Sequence, residues 1–356
     1  MKTIRNIFFI QGCLFFMAYG YLNPVRYDYD SFVLTPYRQM TGQVTGYCKQ
    51  KAKKTYGELE QAKFFNEAML KNPAQVLQAW KKDPSHTEIT YRSNDLYIDY
   101  SLFKRNSSTL LIVGPGFTNS KEKMAPFVEM FSNYDVAVLN FRGQHYNQPS
   151  FNPLYACLGI NSVDKLGACQ VEDVINVITQ LRPPYKQIIG LGICFGGFVF
   201  IKAQSMLAKQ NKKLFDKIIV DGCWFSMDTM RSQLQEASLP SMLSFIDFSW
   251  YVKKLFGLDE QDLNLRHYLN DFRIPILFFY GKYDKVVSRA EFEQIWQGIG
   301  SRDKIAIITS NPHVQNHMQE RAWYKMSCEA FIQHNSTYLY KQLVQKQPMH
   351  SKGKKK

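Results

Sequence analysis

The sequence predicts a doubly wound α/β sheet, mostly parallel, with helices on both faces and a helical lid above the strand ends. Three observations carry this. First, short apolar runs recur at Thr109–Val113, Val136–Leu139, Ile188–Leu191, Lys217–Val220, Ile274–Phe279 and Ile305–Ile308. They are continuous rather than alternating, which is the texture of strands covered on both faces. Second, segments of helical period, such as Val171–Leu181 and Ala290–Trp296, lie between them, and strand–helix alternation argues a parallel sheet. Third, Gln187–Gly197 reads QIIGLGICFGG: a strand, a glycine-bounded turn with one cysteine at its tip, then a helical pattern.

Composition sets the outer bounds. The 356 residues are 45% hydrophobic and 15% aromatic, enough for a sizeable core and too apolar for global disorder. The formal charge is +14, of which Lys2, Arg5 and the tail lysines 352, 354, 355 and 356 supply six, leaving +8 on the body. That balance fits attraction to anionic surfaces or a solubilising charge. With no nucleic-acid motif and no long basic helix, nucleic-acid binding is not expected.

Taken in order, the chain opens with Lys2 and Arg5 before an apolar run from Ile7 to Gly20, and Ala18 and Gly20 place small residues two apart. This is the layout of a secretory signal peptide over residues 1–20. The alternative is an uncleaved membrane anchor, for which the run is short. Export frames the seven cysteines, Cys13, Cys48, Cys157, Cys169, Cys194, Cys223 and Cys328. With Cys13 removed and Cys194 reserved for chemistry, an odd number remains, so at least one stays unpaired or pairs between chains. Cys157 and Cys169 are the best candidates for a disulfide.

Residues 21–86 form a separate N-terminal extension. Its first part is aromatic and polar without period, and residues 56–82 predict two helices, the second opening at Asn72-Pro73. The main body spans 87–345. Glu88–Tyr91 and Leu96–Tyr100 alternate around Ser93-Asn94-Asp95, which reads as a hairpin. The interval 226–271 is longer and more helical than a simple crossover and is assigned to the lid. Residues 346–356 are a basic tail, expected to be disordered.

The chemistry starts at the glycine-bounded turn. Gly192 and Gly196 flank Cys194 where a Cβ would strike neighbouring backbone, and the helix N-terminus behind the cysteine favours a thiolate. This is the G-x-S-x-G elbow with cysteine in place of serine. Further landmarks follow strands in the order that elbow requires. Gly281-Lys282-Tyr283-Asp284 follows one, and Asn311-Pro312-His313 follows the last. Val113-Gly114-Pro115-Gly116-Phe117 follows an early strand and Phe141-Arg142-Gly143 the next.

Together these make residues 88–335 resemble the α/β-hydrolase family. The resemblance implies Cys194 as nucleophile, Asp284 as the acid and a histidine as the base. It also implies an oxyanion hole from the N–H groups of Phe117 and Phe195. Pro115 stands where many relatives carry histidine. His313 and His317 lie four apart, and both remain open as the base, with His313 favoured by its position in the loop. Their spacing also suggests metal ligands, but Val314 stands where the zinc-protease pattern needs glutamate. No metal and no cofactor are expected.

A cysteine elbow in this fold resembles two groups, dienelactone hydrolases and polyhydroxyalkanoate synthases. Both imply acyl transfer through a Cys-His-Asp triad. Export sets this chain apart from those cytosolic groups and favours hydrolysis of an ester, lactone or thioester over polymer synthesis. The expected partner is a small acyl substrate. Trp224, Phe225, Met227, Met242, Phe245, Phe248 and Trp250 of the lid suggest an apolar acyl or aromatic group, or serve only to pack the lid. Two rivals remain. Gly190-x-Gly192 with Asp221 ending the next strand approaches a dinucleotide fingerprint, though Phe195 occupies its third glycine. The other is a catalytically silent binding protein on the same scaffold.

Overall fold

The structure is a computed structural model describing residues 73–92, 97–117, 119–141, 167–226, 263–334 and 338–339, all within one unit, Tyr56–Lys356. The leader, the first extension helix, most of the lid (227–262) and the basic tail lie outside the described residues. So does Cys157, and with it the expected disulfide. Among the described residues no helix is long and apolar enough to cross a membrane.

Eight strands form one sheet: β1 (His86–Arg92), β2 (Tyr97–Phe103), β3 (Thr109–Gly114), β4 (Asp135–Leu139), β5 (Gln187–Ile193), β6 (Lys217–Asp221), β7 (Ile276–Gly281) and β8 (Lys304–Thr309). Their order is β1-β2-β4-β3-β5-β6-β7-β8. β1 and β2 are the expected hairpin, paired antiparallel from His86↔Phe103 to Arg92↔Tyr97, and β2 continues antiparallel onto β4. From β4 to β8 every pairing is parallel. The order reverses at β3, with β4 on one side and β5 on the other.

Each buried strand follows from its sequence. β3, β4, β5 and β7 bury almost every residue, as their continuous apolar runs require. β7 starts at Ile276 rather than Ile274, because Pro275 has no N–H to give the ladder. β8 departs from the expected texture. Its burial alternates and Ile308 is 52% exposed, because this strand closes the sheet and one side of it meets solvent.

The helices among the described residues are α1 (Pro73–Trp80), α2 (Ala125–Met130), α3 (Cys169–Leu181), α4 (Phe195–Ala208), α5 (Arg266–Leu269), α6 (Arg289–Gly298), α7 (Asn316–Gln319) and α8 (Arg321–Gln333). Successive residues of β7 show that they cover both faces. The Phe278 ring meets Phe292 of α6 at 5.3 Å, whereas Phe279 meets Tyr324 of α8 at 4.4 Å. α1 begins at the predicted proline and seats Val76 and Trp80 in the core, with Trp80 edge-on to Phe103 at 5.1 Å.

Candidate active site

The site is built at the C-terminal edge of the parallel strands, where β5 turns into α4. Cys194 occupies the turn at φ 51°, ψ −109°, a region that costs a non-glycine residue about 1–3 kcal/mol. Two glycines make the bend feasible. A Cβ on Gly192 would lie 2.5 Å from the Gly197 nitrogen, and one on Gly196 would lie 2.2 Å from the Gly114 carbonyl oxygen. The turn is pinned by hydrogen bonds. The Cys194 N–H donates to the Asp221 carbonyl at 2.9 Å, and the Cys194 carbonyl accepts from the Trp224 N–H at 3.2 Å. The thiol sits at the N-terminus of a 14-residue helix, where the backbone N–H groups present partial positive charge.

The acid loop follows β7. Asp284 is buried, and its Oδ1 accepts two backbone N–H groups, from Val286 and Val287, both at 2.8 Å. That anchoring fixes the carboxylate so that Oδ2 points at His313, 2.7 Å from Nδ1. With Nδ1–H donating to the carboxylate, Nε2 is left for chemistry. Nε2 is buried and, among the described residues, makes no well-formed hydrogen bond. The Cys194 sulfur lies close enough for its charge to act on the ring. Burial, the largest single influence, disfavours the imidazolium. The Asp284 and Cys194 charges outweigh it and hold the His313 pKa well above the ordinary histidine value.

His313 and His317 therefore part company. His317 lies in α7 and turns away from Asp284. Its ring packs 4.5 Å from Phe127, and its Nδ1 stands 3.9 Å from Asp221 Oδ2. Geometry thus gathers Cys194, Asp284 and His313, and leaves His317 buried between Phe127 of α2 and Tyr324 of α8.

The two expected oxyanion donors flank the cysteine. Phe195 follows it directly, and the Gly116–Phe117 turn approaches from β3, where a Cβ on Gly116 would come 3.5 Å from the Cys194 Cβ. Among the described residues, neither the Phe117 nor the Phe195 N–H donates a hydrogen bond. Above them the Phe117 ring meets Trp224 edge-on at 5.2 Å, and Phe195 lies 5.3 Å from Trp224. Of the apolar residues expected at the lid, Trp224 and Phe225, just before it, are buried; Met227, Met242, Phe245, Phe248 and Trp250 fall outside the described residues.

Sequence reasoning missed the contribution of β6. Asp221 enters the sequence reading only through the approximate dinucleotide fingerprint, yet its carbonyl holds the elbow. Gly222, at φ 62°, lets the chain pass so close to His313 that a Cβ would lie 3.0 Å from ring atoms Nδ1 and Cε1. The available signal was an acidic residue and a glycine at a strand end facing the elbow.

No protein-family model matches the chain, and no curated protein does. Solved structures do. The esterase Pf2001 of Pyrococcus furiosus superposes with a TM-score of 0.55 at 17% identity, over 74% of this chain and 96% of that one. A second crystal form of the same esterase gives 0.55 at 18% identity, over 75% and 94%. Wild-type AbyA5 gives 0.52 at 12% identity, over 76% of each chain. At such identities the likeness speaks to the backbone. Together with the strand order and the elbow between β5 and α4, it shows that this chain has the α/β-hydrolase fold.

Proposed function

We propose that the protein hydrolyses a carboxylic ester, lactone or thioester through a Cys194 acyl-enzyme, with His313 as base and Asp284 as its orienting acid. The observation that carries this reading is the 2.7 Å contact between His313 Nδ1 and Asp284 Oδ2, made beside a cysteine held in a strained turn. A buried inert cysteine needs neither the strain nor a doubly anchored carboxylate.

In the reaction the Cys194 thiolate attacks the acyl carbon and a C–S bond forms. The carbonyl electron pair moves onto oxygen, where the Phe117 and Phe195 N–H groups meet it, each such donor contributing about 3 kcal/mol of barrier lowering. Collapse expels the alcohol or thiol, which takes its proton from the His313 imidazolium. Water then loses a proton to the now neutral His313 and attacks the acyl carbon, and the C–S bond breaks to return the thiolate. Asp284 stays ionised and stabilises the cation in both halves. The aromatic wall of Phe117 and Trp224 supports an apolar or aromatic acyl group. The leader-like segment 1–20 supports export of the enzyme.

The test is rapid mixing with p-nitrophenyl acetate. A burst of one p-nitrophenolate per enzyme is expected, absent in Cys194→Ala and slowed about 10³-fold or more in Asp284→Asn, whose neutral amide supports the wrong tautomer. No burst, together with ordinary alkylation of Cys194 near neutral pH, would return the chain to the silent-scaffold reading.

A further inference from the structure

We infer that Asp221 and Asn316 are positioning residues, a bridge that fixes His313 relative to Cys194. The inference rests on the reading of Cys194 and His313 as nucleophile and base, and extends it to two side chains that touch neither substrate nor the reacting atoms.

The loop that carries His313 runs from the end of β8 to the start of α7 and contains a strained residue. Val314, next to the histidine, has φ 48°. A β-branched side chain there is an outlier that persists only when its surroundings over-determine it. Asn316 supplies the constraint. It is buried, its Nδ2 donates to Asp221 Oδ1 at 2.7 Å, and its Oδ1 accepts from Thr309 Oγ1 at 2.5 Å and from Asn311 Nδ2 at 3.1 Å. One amide thus ties both ends of the histidine loop to β6.

At its other end the bridge reaches the nucleophile. The backbone carbonyl of the same Asp221 accepts the Cys194 N–H at 2.9 Å. Asp221 therefore holds the strained elbow through its main chain and the strained histidine loop through its side chain. The next residue, Gly222, packs directly against the imidazole, and its hypothetical Cβ would also lie 2.9 Å from Val314 Cγ1. Both strained residues of the site lean on one strand end. Because Asp221 is 1% exposed, its hydrogen bond to Asn316 is sheltered from water and costly to break.

The experiment exchanges the partners. Asn316→Asp breaks the bridge by setting two carboxylates face to face, whereas Asp221→Asn alone keeps an oxygen that can accept from Asn316 Nδ2 and serves to supply the donor for the exchange. The double variant rebuilds it with donor and acceptor reversed, since the carboxylate introduced by Asn316→Asp can still accept from Thr309 and Asn311. Asn316→Asp is expected to lower kcat on p-nitrophenyl acetate by about 10- to 100-fold with KM within about twofold, the signature of a misplaced base, and Asp221→Asn by less. Iodoacetamide alkylation of Cys194, followed by peptide mass at neutral pH, should slow in parallel. The double variant should recover both rates to within about threefold of wild type.

Circular dichroism melts show whether each variant folds. If Asn316→Asp does not, Thr309→Val, which removes the hydroxyl donor to Asn316 and the acceptor of the Asn311 N–H, is expected to give a smaller fall of the same kind. A folded Asn316→Asp variant with wild-type kcat and alkylation, or a double variant no better than it, would overturn the bridge. Absence of turnover in the wild type would defeat the hydrolase reading instead, while the alkylation rates would still decide the bridge.

Discussion

At the scale of one residue, the backbone of Cys194 is the telling feature. Its φ of 51° and ψ of −109° place the sulfur at the apex of the turn and give the molecule a stored cost of about 1–3 kcal/mol. Ordinarily glycine is about 0.5–1 kcal/mol less stabilising than alanine within regular structure, because it loses more backbone entropy. Here the order should invert. Both substitutions remove the sulfur, so the comparison isolates the backbone. Cys194→Gly is expected to unfold at higher denaturant than Cys194→Ala, by about 1 kcal/mol, with both inactive. An alanine variant as stable as the glycine one would mean that the turn is unstrained. Asp284 shows the complementary strategy, in which two backbone N–H groups on Oδ1 leave one oxygen aimed at the imidazole.

At the scale of elements, the site depends on how closely α4 lies against β3. Gly196 faces the Gly114 carbonyl at a distance that admits no Cβ, whereas Gly197 faces the movable side chain of Val220 at 2.6 Å. Gly196→Ala should therefore destabilise by about 3 kcal/mol and Gly197→Ala by less, as read from denaturant midpoints. Equal costs would show that β3 can retreat. The elements were legible in the sequence wherever burial is two-sided, as in β3, β5 and β7, because a short, continuous apolar run between turns suits a strand covered on both faces. β8 was legible as a strand but not as an edge, since Ile308 is apolar yet half exposed, and only the topology reveals that no strand pairs beyond it among the described residues. The base stayed open between His313 and His317 because a spacing of four fits a loop or a helix. What separates them is α7 beginning at Asn316, which turns His317 toward Phe127. Asp221 was illegible because its tie to the cysteine runs through a carbonyl, which every residue possesses.

At the scale of the whole molecule, the site's charges feed back on stability. Burial opposes protonation of His313, yet the Asp284 carboxylate and the Cys194 sulfur raise its proton affinity well above the unfolded value of 6.5. A histidine whose pKa rises on folding stabilises the fold fully below the unfolded value. That contribution drains away as pH climbs through the folded value. Its size is about 1.4 kcal/mol for each pH unit separating the two values. The clean background is Cys194→Ala, where His313 keeps Asp284 and no thiol titrates beside it. Denaturant melts should show the stability of that variant declining as pH rises above about 6.5, over a window that ends beyond the folded pKa. Adding His313→Gln should flatten that decline. In the wild type, a proton given up by the thiol on folding would offset the one gained by the imidazole, so a flatter curve than that of Cys194→Ala would mark the paired ions. A Cys194→Ala curve parallel to that of the double variant would show that the imidazole titrates alike in both states, and Asp284 would not then hold the cation that the proposed acyl-enzyme chemistry requires.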